Sequence, residues 1–198
     1  NTIEGATVVI TDANGNVVTT TPTVTTDANG QVKVENLPIG KYTVTVNSVP
    51  GDYKVTCDGV DTQVVEEKET PTKFEFEVTK KVGNLLVTVT EQGNDSNKIA
   101  NANVNVSGTG YNKNFTTDAN GSVTVTNLPV GEYKVTVNGV PNSYKIVGKD
   151  ADTKAVNENA TTHYPFVVTK KVGNLTVVVT EKDNKDNEID CYKVIITG

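Results

Sequence analysis

Few side chains in this sequence could perform catalysis. It contains one histidine, His163, and two cysteines, Cys57 and Cys191. A single histidine without a partner forms neither a catalytic triad nor a zinc site, so we expect His163 to lie in an exposed loop. We identify no other nucleophile–base pair. The sequence therefore predicts no enzyme, no catalytic residue, no bound metal and no cofactor.

Two acidic patterns could bind calcium, and both have a simpler explanation. The motif Asp-Ala-Asn-Gly occurs three times, at Asp12, Asp27 and Asp118. It lacks the remaining ligands of an EF-hand loop and is fully explained as a turn. A second acidic group lies near the end of the sequence, at Asp183, Asp186, Glu188 and Asp190. Its spacing fits no known calcium loop, so a solvated loop is favoured.

Other side chains could carry or contact sugar. Asn-x-Ser/Thr sequons occur at Asn94, Asn105, Asn114, Asn120, Asn159 and Asn174. They are candidate glycosylation sites of a secreted surface, although a chain rich in Asn and Thr also produces sequons by chance. Tyr111 follows a Gly-Thr-Gly segment and is the best candidate for an exposed aromatic residue on a flexible loop, where it could contact a ligand.

Composition narrows the choice of partner. The 198 residues include 24 acidic and 18 basic side chains, all of the latter lysine, for a net charge of −6. Without arginine the chain lacks the bidentate fork that binds phosphate, and with the acidity this disfavours nucleic acid. No apolar run approaches the ~20 residues that span a bilayer. No signal peptide is evident and the first residue is Asn1, so we interpret the chain as a mature or excised piece of a longer protein.

One stretch occurs twice and organises the rest. Residues 27–46 and 118–137 share Asp-Ala-Asn-Gly, two alternating valines, Asn-Leu-Pro-x-Gly and Tyr-x-Val-x-Val. We expect a hairpin, because Asn-Gly tolerates positive φ at both central positions of a tight turn. The alternating valines predict one buried face, with Tyr42 and Tyr133 in phase with it. Two strands cannot bury that face alone, so the unit requires a larger sheet.

Alternating apolar residues predict the remaining strands, and no helical period is present. The predicted strands include residues 7–10, 53–57, 74–78, 85–89 and 99–108, and the last two recur at 175–179 and 189–198. Ala102, Val104 and Val106 are expected on one inward face. A period of about 90 residues in a chain of this length predicts two sandwich-sized domains.

The order of these motifs resembles the B-type repeats of Gram-positive surface proteins, the Cna-B or SpaA-like modules of pilins and adhesin stalks. Their signature resembles residues 27–53 and 118–144, with Pro50 and Pro141 in the turn that follows. The resemblance implies an all-β fold of tandem Ig-like (inverse-Ig, transthyretin-like) β-sandwiches, in series outside the cell. It divides the chain into a sandwich lacking its first strand (1–82), a complete sandwich (83–172), and the first two strands of a third repeat (173–198).

Many members of that family carry a Lys–Asn or Lys–Asp isopeptide bond promoted by a buried acid. The resemblance places the acid at Val46 and Val137 in this sequence. The last strands, 74–78 and 166–168, contain no Asn or Asp, and residues 85–89 contain no Lys. We therefore expect no isopeptide bond in either repeat.

The strand count leaves unpaired edges, which invite pairing with another chain. The first type of strand occurs at 85 and 175, and the second near Ile3, Ile99 and Ile189. We expect a C-terminal strand, from 175–180 or 189–197, to pair with the first domain of a neighbouring molecule. The candidate donor residues are Leu175, Val177, Val179, Val194 and Ile196. The alternative is that the third repeat continues beyond the residues given.

These observations favour a structural repeat segment of an extracellular, surface-attached stalk, pilus or filament. Its partners would be copies of itself or adjacent repeats of a longer chain. The linkers at 80–84 and 170–174 are too short for free flexing, so neighbouring domains should be angularly restricted. The alternative is a ligand-binding adhesin module that recognises glycan or host protein, with Tyr111 as its contact.

Two further expectations concern single residues. Gly121 is placed where a tight turn requires positive φ, whereas Gly108 is placed in a longer, adaptable loop, so Gly121→Val should be the more damaging change. Cys57 and Cys191 occupy different repeat positions, so both should be free thiols.

Overall fold

The protein is described here by a computed structural model, which covers residues 1–19, 21, 23–68, 70–108, 110–182 and 184–188. The strands of the first sandwich are β1 (Thr7–Asp12), β2 (Val24–Thr25), β3 (Gly40–Ser48), β4 (Tyr53–Val55), β5 (Val60–Val65) and β6 (Val78–Lys80). Those of the second are β7 (Val82–Glu91), β8 (Asn94–Lys98), β9 (Asn103–Gly108), β10 (Tyr111–Thr116), β11 (Ser122–Pro129), β12 (Gly131–Gly139), β13 (Tyr144–Val147), β14 (Ala151–Val156) and β15 (Thr161–Lys170). Two short strands follow, β16 (Thr180–Glu181) and β17 (Asn184–Glu188). Every regular element in the described ranges is a strand, which confirms the all-β class.

The second sandwich consists of one four-stranded and one five-stranded sheet. One sheet has the order β10-β9-β12-β14 and the other β11-β7-β15-β13, with β8 paired to β7. Strand β7 lies between β11, with which it pairs antiparallel, and β15, with which it pairs parallel. Alternating valines, leucines and aromatic residues of both sheets meet in one core, with Leu85, Val87 and Tyr164 completely buried. The predicted inward residues Ala102, Val104 and Val106 also lie in this core.

The first sandwich has a smaller set of paired strands. Its larger sheet has the order β2-β1-β3-β5, which repeats the β10-β9-β12-β14 sheet of the second sandwich. Among the described residues, its other sheet consists of β4 and β6 alone. The fully buried core is correspondingly small and comprises Val8, Ile10, Tyr42 and Val44.

The expected hairpin is wrong in both repeats. In the second sandwich the repeated stretch crosses between layers: β11 belongs to one sheet and β12 to the other. The Asp-Ala-Asn-Gly turn has positive φ only at its glycine in each repeat, with φ of 68° at Gly30 and 63° at Gly121. In Asp118 the carboxylate accepts hydrogen bonds from the backbone N–H groups of Asn120 and Ser122, both at 2.9 Å. These hydrogen bonds close a corner at which the chain crosses from one sheet to the other. The hairpin prediction was wrong because alternating valines specify a buried face but not which strand pairs beside them.

The predicted strand at 74–78 forms only at its end, where β6 begins at Val78. Its repeat in the second sandwich, β15, is a ten-residue strand along β7. No described strand pairs with residues 71–77 in the first sandwich. A strand without a neighbour has no ladder of hydrogen bonds, so the pattern alone does not produce one.

Candidate functional site

The second sandwich shows how the first type of strand is held. Gly83, Leu85, Val87 and Val89 of β7 all point inward and are buried. Val87 lies opposite Val123 on β11, and on the other side β7 pairs in register with β15. The strand thus completes both the hydrogen bonding of its sheet and the core beneath it.

The same position in the first sandwich is unfilled by any described residue. Five apolar side chains that correspond to core residues of the second sandwich are only half-buried: Val32, Val34, Leu37, Phe74 and Phe76. Their repeats are 0–8% exposed, at Val123, Val125, Leu128, Tyr164 and Phe166. The two segments that bear them, 31–38 and 71–77, form no strand in the described structure, although Thr56 N donates to Glu77 O at 3.1 Å. We call the position between these segments the open strand position.

A segment that matches β7 lies exposed after the second sandwich. Residues 172–181 are identical to Val82–Glu91 at eight of ten positions, including all four inward residues. The aliphatic side chains of this segment are 41–92% exposed, at Val172, Leu175, Val177, Val178 and Val179. Residues 171–179 form no strand. The other candidate donor residues, Val194 and Ile196, lie outside the described residues.

The structure places the sequons mostly on the surface. Five are exposed, at Asn94, Asn114, Asn120, Asn159 and Asn174, and Asn105 is half-buried. The Asn105 amide donates to Asn112 Oδ1 at 2.8 Å and to Asn114 Oδ1 at 2.9 Å. A glycan on Asn105 would have to break at least one of these contacts, because a glycosylated amide nitrogen keeps a single N–H. Glycosylation stays a prediction.

Tyr111 does not lie on a flexible loop, so that expectation is wrong. It is the first residue of β10 and is half-buried. Its ring packs edge-on against Tyr133 with centroids 5.9 Å apart, and burial raises the pKa of its hydroxyl. The flanking glycines suggested a loop, but pairing with β9 extends the strand to this residue. A ligand contact at Tyr111 stays a prediction, without the exposed ring on which it was based.

The remaining titratable candidates are placed as follows. His163 is exposed, as expected, but lies in β15 rather than in a loop, with Nε2 2.8 Å from Thr88 Oγ1. The predicted acidic loop is also wrong in part, because Asp186 and Glu188 belong to β17, which pairs with β16. Asp183 and Asp190 lie outside the described residues. Within the described part of the chain, no group of three or more His, Cys, Asp or Glu side chains is placed to hold a metal.

Two single-residue expectations have different outcomes. Cys57 is exposed and forms no disulfide within the described residues, and Cys191 lies outside them. Gly108 is not in an adaptable loop, because it ends β9 with an ideal Cβ position only 2.7 Å from the Tyr133 ring. Substitution at Gly108 is therefore expected to be damaging as well.

Sequence reasoning missed half of the site. It identified the segment that could be donated but not the side chains that would receive it. The signal was present, because Val32 and Val34 repeat Val123 and Val125, and Phe74 repeats Tyr164. An apolar set repeated without the strand that covers it marks an open surface.

The fold also agrees with comparisons to known proteins. Residues 1–81 match the family model of the SpaA prealbumin-like fold domain, and residues 84–169 match that of the carboxypeptidase regulatory-like domain. No curated protein matches the sequence. None of the described residues forms a helix that could cross a membrane.

Two solved structures illustrate the likeness. The Bacillus anthracis TIE protein is similar over 86% of this chain, with 23% identity and a TM-score of 0.68, and the chain spans only 31% of its length. GBS52, the minor pilin of Streptococcus agalactiae, is similar over 91% of this chain and 88% of its own, with 14% identity and a TM-score of 0.45. At 23% identity the likeness to the TIE protein shows the fold. The resemblance to SpaA-like repeats is confirmed: residues 1–81 are similar to the SpaA prealbumin-like fold domain, and residues 84–169 are similar to the carboxypeptidase regulatory-like domain.

Proposed function

We propose that this chain is a structural repeat segment of an extracellular, cell-surface-attached stalk, pilus or filament. Its domains are residues 1–82 and 83–172, and 173–198 begin a third repeat. The SpaA-type match of the first domain supports this class of function. The proposal assigns the chain no enzymatic activity. The observation that best supports the structural role is the geometry of the junction between the two sandwiches.

The junction consists of a single residue, Lys81, between β6 and β7. Its N–H donates to Asp52 O of the first sandwich at 2.8 Å, and its carbonyl accepts from Val130 N of the second at 3.1 Å. Beside it, Lys54 Nζ of the first sandwich lies 2.6 Å from Glu158 Oε1 of the second. A joint whose backbone is bonded to both neighbours restricts their relative motion, as a rigid stalk requires.

The sequence Lys-Lys-Val-Gly-Asn occurs at 80–84, across this junction, and again at 170–174. We expect the next repeat to be attached in the same way, so that repeats in series form an extended rod. Adjacent repeats or further copies of the chain are its partners.

Assembly by strand addition extends this proposal. The chain has an open strand position in its first sandwich and an exposed strand-like segment after its second. Two different complementary surfaces on one molecule give head-to-tail, non-closing association. The adhesin alternative is not favoured, because Tyr111 packs against Tyr133 instead of presenting a free ring.

Small-angle X-ray scattering tests the rigid junction directly. The native chain should fit one inter-domain arrangement, whereas a variant with Gly-Gly-Ser-Gly inserted after Lys81 should show a broad distribution of dimensions. The same measurement is made on the variant Val177→Asp, which removes assembly as a cause of rigidity. If the native chain is as broadly distributed as the insertion variant, the stalk proposal loses its basis.

A further inference from the structure

A β-bulge near the end of β12 lies beside an open concavity in the second sandwich. The register of β12 against β9 shifts at Asn138, so that the next residue, Gly139, lies opposite Asn103. An extra residue bends its strand and redirects a side chain, and bulges are frequent beside functional sites. The concavity has a volume of about 340 Å³. We call it the asparagine concavity, and it is lined by Asn103, Val104, Asn114, Phe115, Thr116 and Asn138.

The polar side chains around the asparagine concavity are uncharged. Asn103 and Thr116 lie opposite each other on β9 and β10, and Asn138 lies beside them in the bulge. All three are exposed, and none of their side chains has a hydrogen-bond partner among the described residues. The described lining includes no charged residue. The concavity therefore presents carboxamide and hydroxyl groups that are free to bind a ligand.

The fourth polar side chain, Asn114, is oriented by a neighbour. The Asn105 amide donates to Oδ1 of Asn112 at 2.8 Å and to Oδ1 of Asn114 at 2.9 Å. Asn114 accepts this bond through its oxygen, so both of its N–H donors remain for a ligand. Asparagine is depleted in β-strands, yet β9 and β10 each contain two of them. Completing the sheet does not by itself explain this choice of residue.

The first sandwich contains the same bulge with different side chains. Its β3 shifts register against β1 at Asn47, and Ser48 lies opposite Thr7. The Ser48 and Thr7 hydroxyls are 2.7 Å apart, and Asn47 Nδ2 donates to Thr7 Oγ1 at 3.4 Å. The polar groups of that bulge are thus bonded to one another, whereas the second sandwich has Gly139 and Asn103 at the corresponding positions. The fold does not require the asparagines, which favours a role in binding.

We infer that the asparagine concavity binds a neutral saccharide. A carboxamide both donates and accepts, as a sugar hydroxyl does, so several carboxamides side by side can pair with neighbouring hydroxyl groups. An uncharged lining offers no partner to an anionic ligand, and the net charge of −6 opposes one. Small-molecule sites begin at about 300 Å³, so a concavity of this size suits a short saccharide. The site does not involve Tyr111, and it adds ligand binding to the structural role proposed above.

An NMR titration of the isotope-labelled full chain tests the inference. The chain is produced in a host that adds no N-glycans, because Asn114 is also a sequon. Glucose, galactose, mannose and N-acetylglucosamine are added separately, with glucuronate as the charged counterpart of glucose. At least one neutral sugar should shift the side-chain N–H signals of Asn103, Asn114 and Asn138, and glucuronate should shift them less. No shift with any of the neutral sugars, or stronger shifts with glucuronate, overturns the inference.

A matched pair of variants locates the site. Asn112 and Asn114 are both exposed on β10 and both accept from Asn105, but only Asn114 lines the asparagine concavity. For the sugar that binds, Asn114→Ala should raise the Kd about tenfold, because it removes hydrogen bonds to the ligand. Asn112→Ala should leave the Kd unchanged. Equal effects of the two substitutions overturn the inference.

A second variant closes the site and keeps the fold. Gly139→Ser combined with Asn103→Thr reproduces the pair that the first sandwich has at Ser48 and Thr7. This double variant should melt at the temperature of the native chain and should no longer bind the sugar. Binding as tight as that of the native chain overturns the inference. The substituted residues lie away from the Lys81 junction, so this inference and the stalk proposal fail separately.

Discussion

Gly83 offers a sharp test of how β7 is held in the second sandwich. An ideal Cβ at this position lies 2.1 Å from Asn157 O and 2.8 Å from Val156 Cγ1. Asn84 N donates to Ala160 O at 2.7 Å and Asn159 N to Val82 O at 2.9 Å, so the 157–160 turn is bonded on both sides of the glycine. A methyl group therefore cannot be accommodated by a side-chain rotation, and the strand and the turn must separate.

The cost of Gly83→Ala follows from that geometry. Moving the Cβ from 2.1 Å to the 3.0 Å that real contacts respect shifts the backbone by about 1 Å. This weakens two backbone hydrogen bonds worth about 1 kcal/mol each. Overpacking a well-packed site adds about 1–3 kcal/mol. The free energy of unfolding should fall by about 3–5 kcal/mol, which lowers the melting temperature of a domain of about 90 residues by roughly 15–30 °C.

Differential scanning calorimetry resolves this prediction, with Gly173→Ala as the control. Gly173 is the repeat of Gly83 and has nothing within 4 Å of its ideal Cβ, so alanine there should leave the melting of a dilute, monomeric sample unchanged. Equal shifts for the two variants, or a loss below 1 kcal/mol for Gly83→Ala, would show that the turn does not enclose β7 as described.

The remaining predictions use single residues of the second sandwich and the intact chain. Tyr164→Phe should lower the free energy of unfolding, measured in urea, by about 1–2 kcal/mol, because the buried hydroxyl lies 2.9 Å from both Tyr133 O and Lys154 O. An unchanged free energy of unfolding would contradict this prediction. Gly121→Val should still destabilise more than Gly108→Val in thermal melts, since Gly121 combines a φ of 63° with backbone contacts at 2.7 Å; the reverse order refutes the strain argument. Intact mass should equal the sequence mass, and a deficit of one ammonia or water per domain would reveal an isopeptide bond. Hydrogen bonds from Ser122 and Asn120 lower the pKa of Asp118, so its contribution is present above about pH 4 and lost as pH falls through the lowered value. Asp118→Ala should therefore reduce the acid dependence of stability, and an unchanged pH profile would contradict this.

The sequence predicts this fold well where the alternation of buried side chains is enough to define a strand. Leu85, Val87 and Val89 alternate and are completely buried, because a sandwich strand has one inward face. The prediction from sequence fails where a segment becomes a strand only if another strand lies beside it to pair with. Residues 74–78 and 164–168 carry the same apolar alternation, yet only the latter form a full strand, since only they lie beside β7. Local periodicity contains no information on which strand is adjacent.

The two parts of the candidate site also differ in how well the sequence predicts them. Residues 172–181 can be recognised from sequence because they repeat β7 almost without change. The receiving side chains, such as Val32 and Phe74, have the pattern of ordinary core residues. Only their half-buried state in the structure shows that no described strand covers them. The prediction of an exposed ring at Tyr111 fails for the opposite reason: a residue that follows two glycines becomes part of a paired strand, and its ring packs on Tyr133.

The parallel pairing of β7 with β15 determines how the second sandwich bears mechanical load. Tension along a rod enters this sandwich at the start of β7 and leaves it at the end of β15, so it pulls the two strands in opposite directions along their length. Eight register pairs, from Thr161–Asn84 to Val168–Glu91, are then loaded together in shear instead of opening one after another. Such an arrangement resists extension without a covalent cross-link.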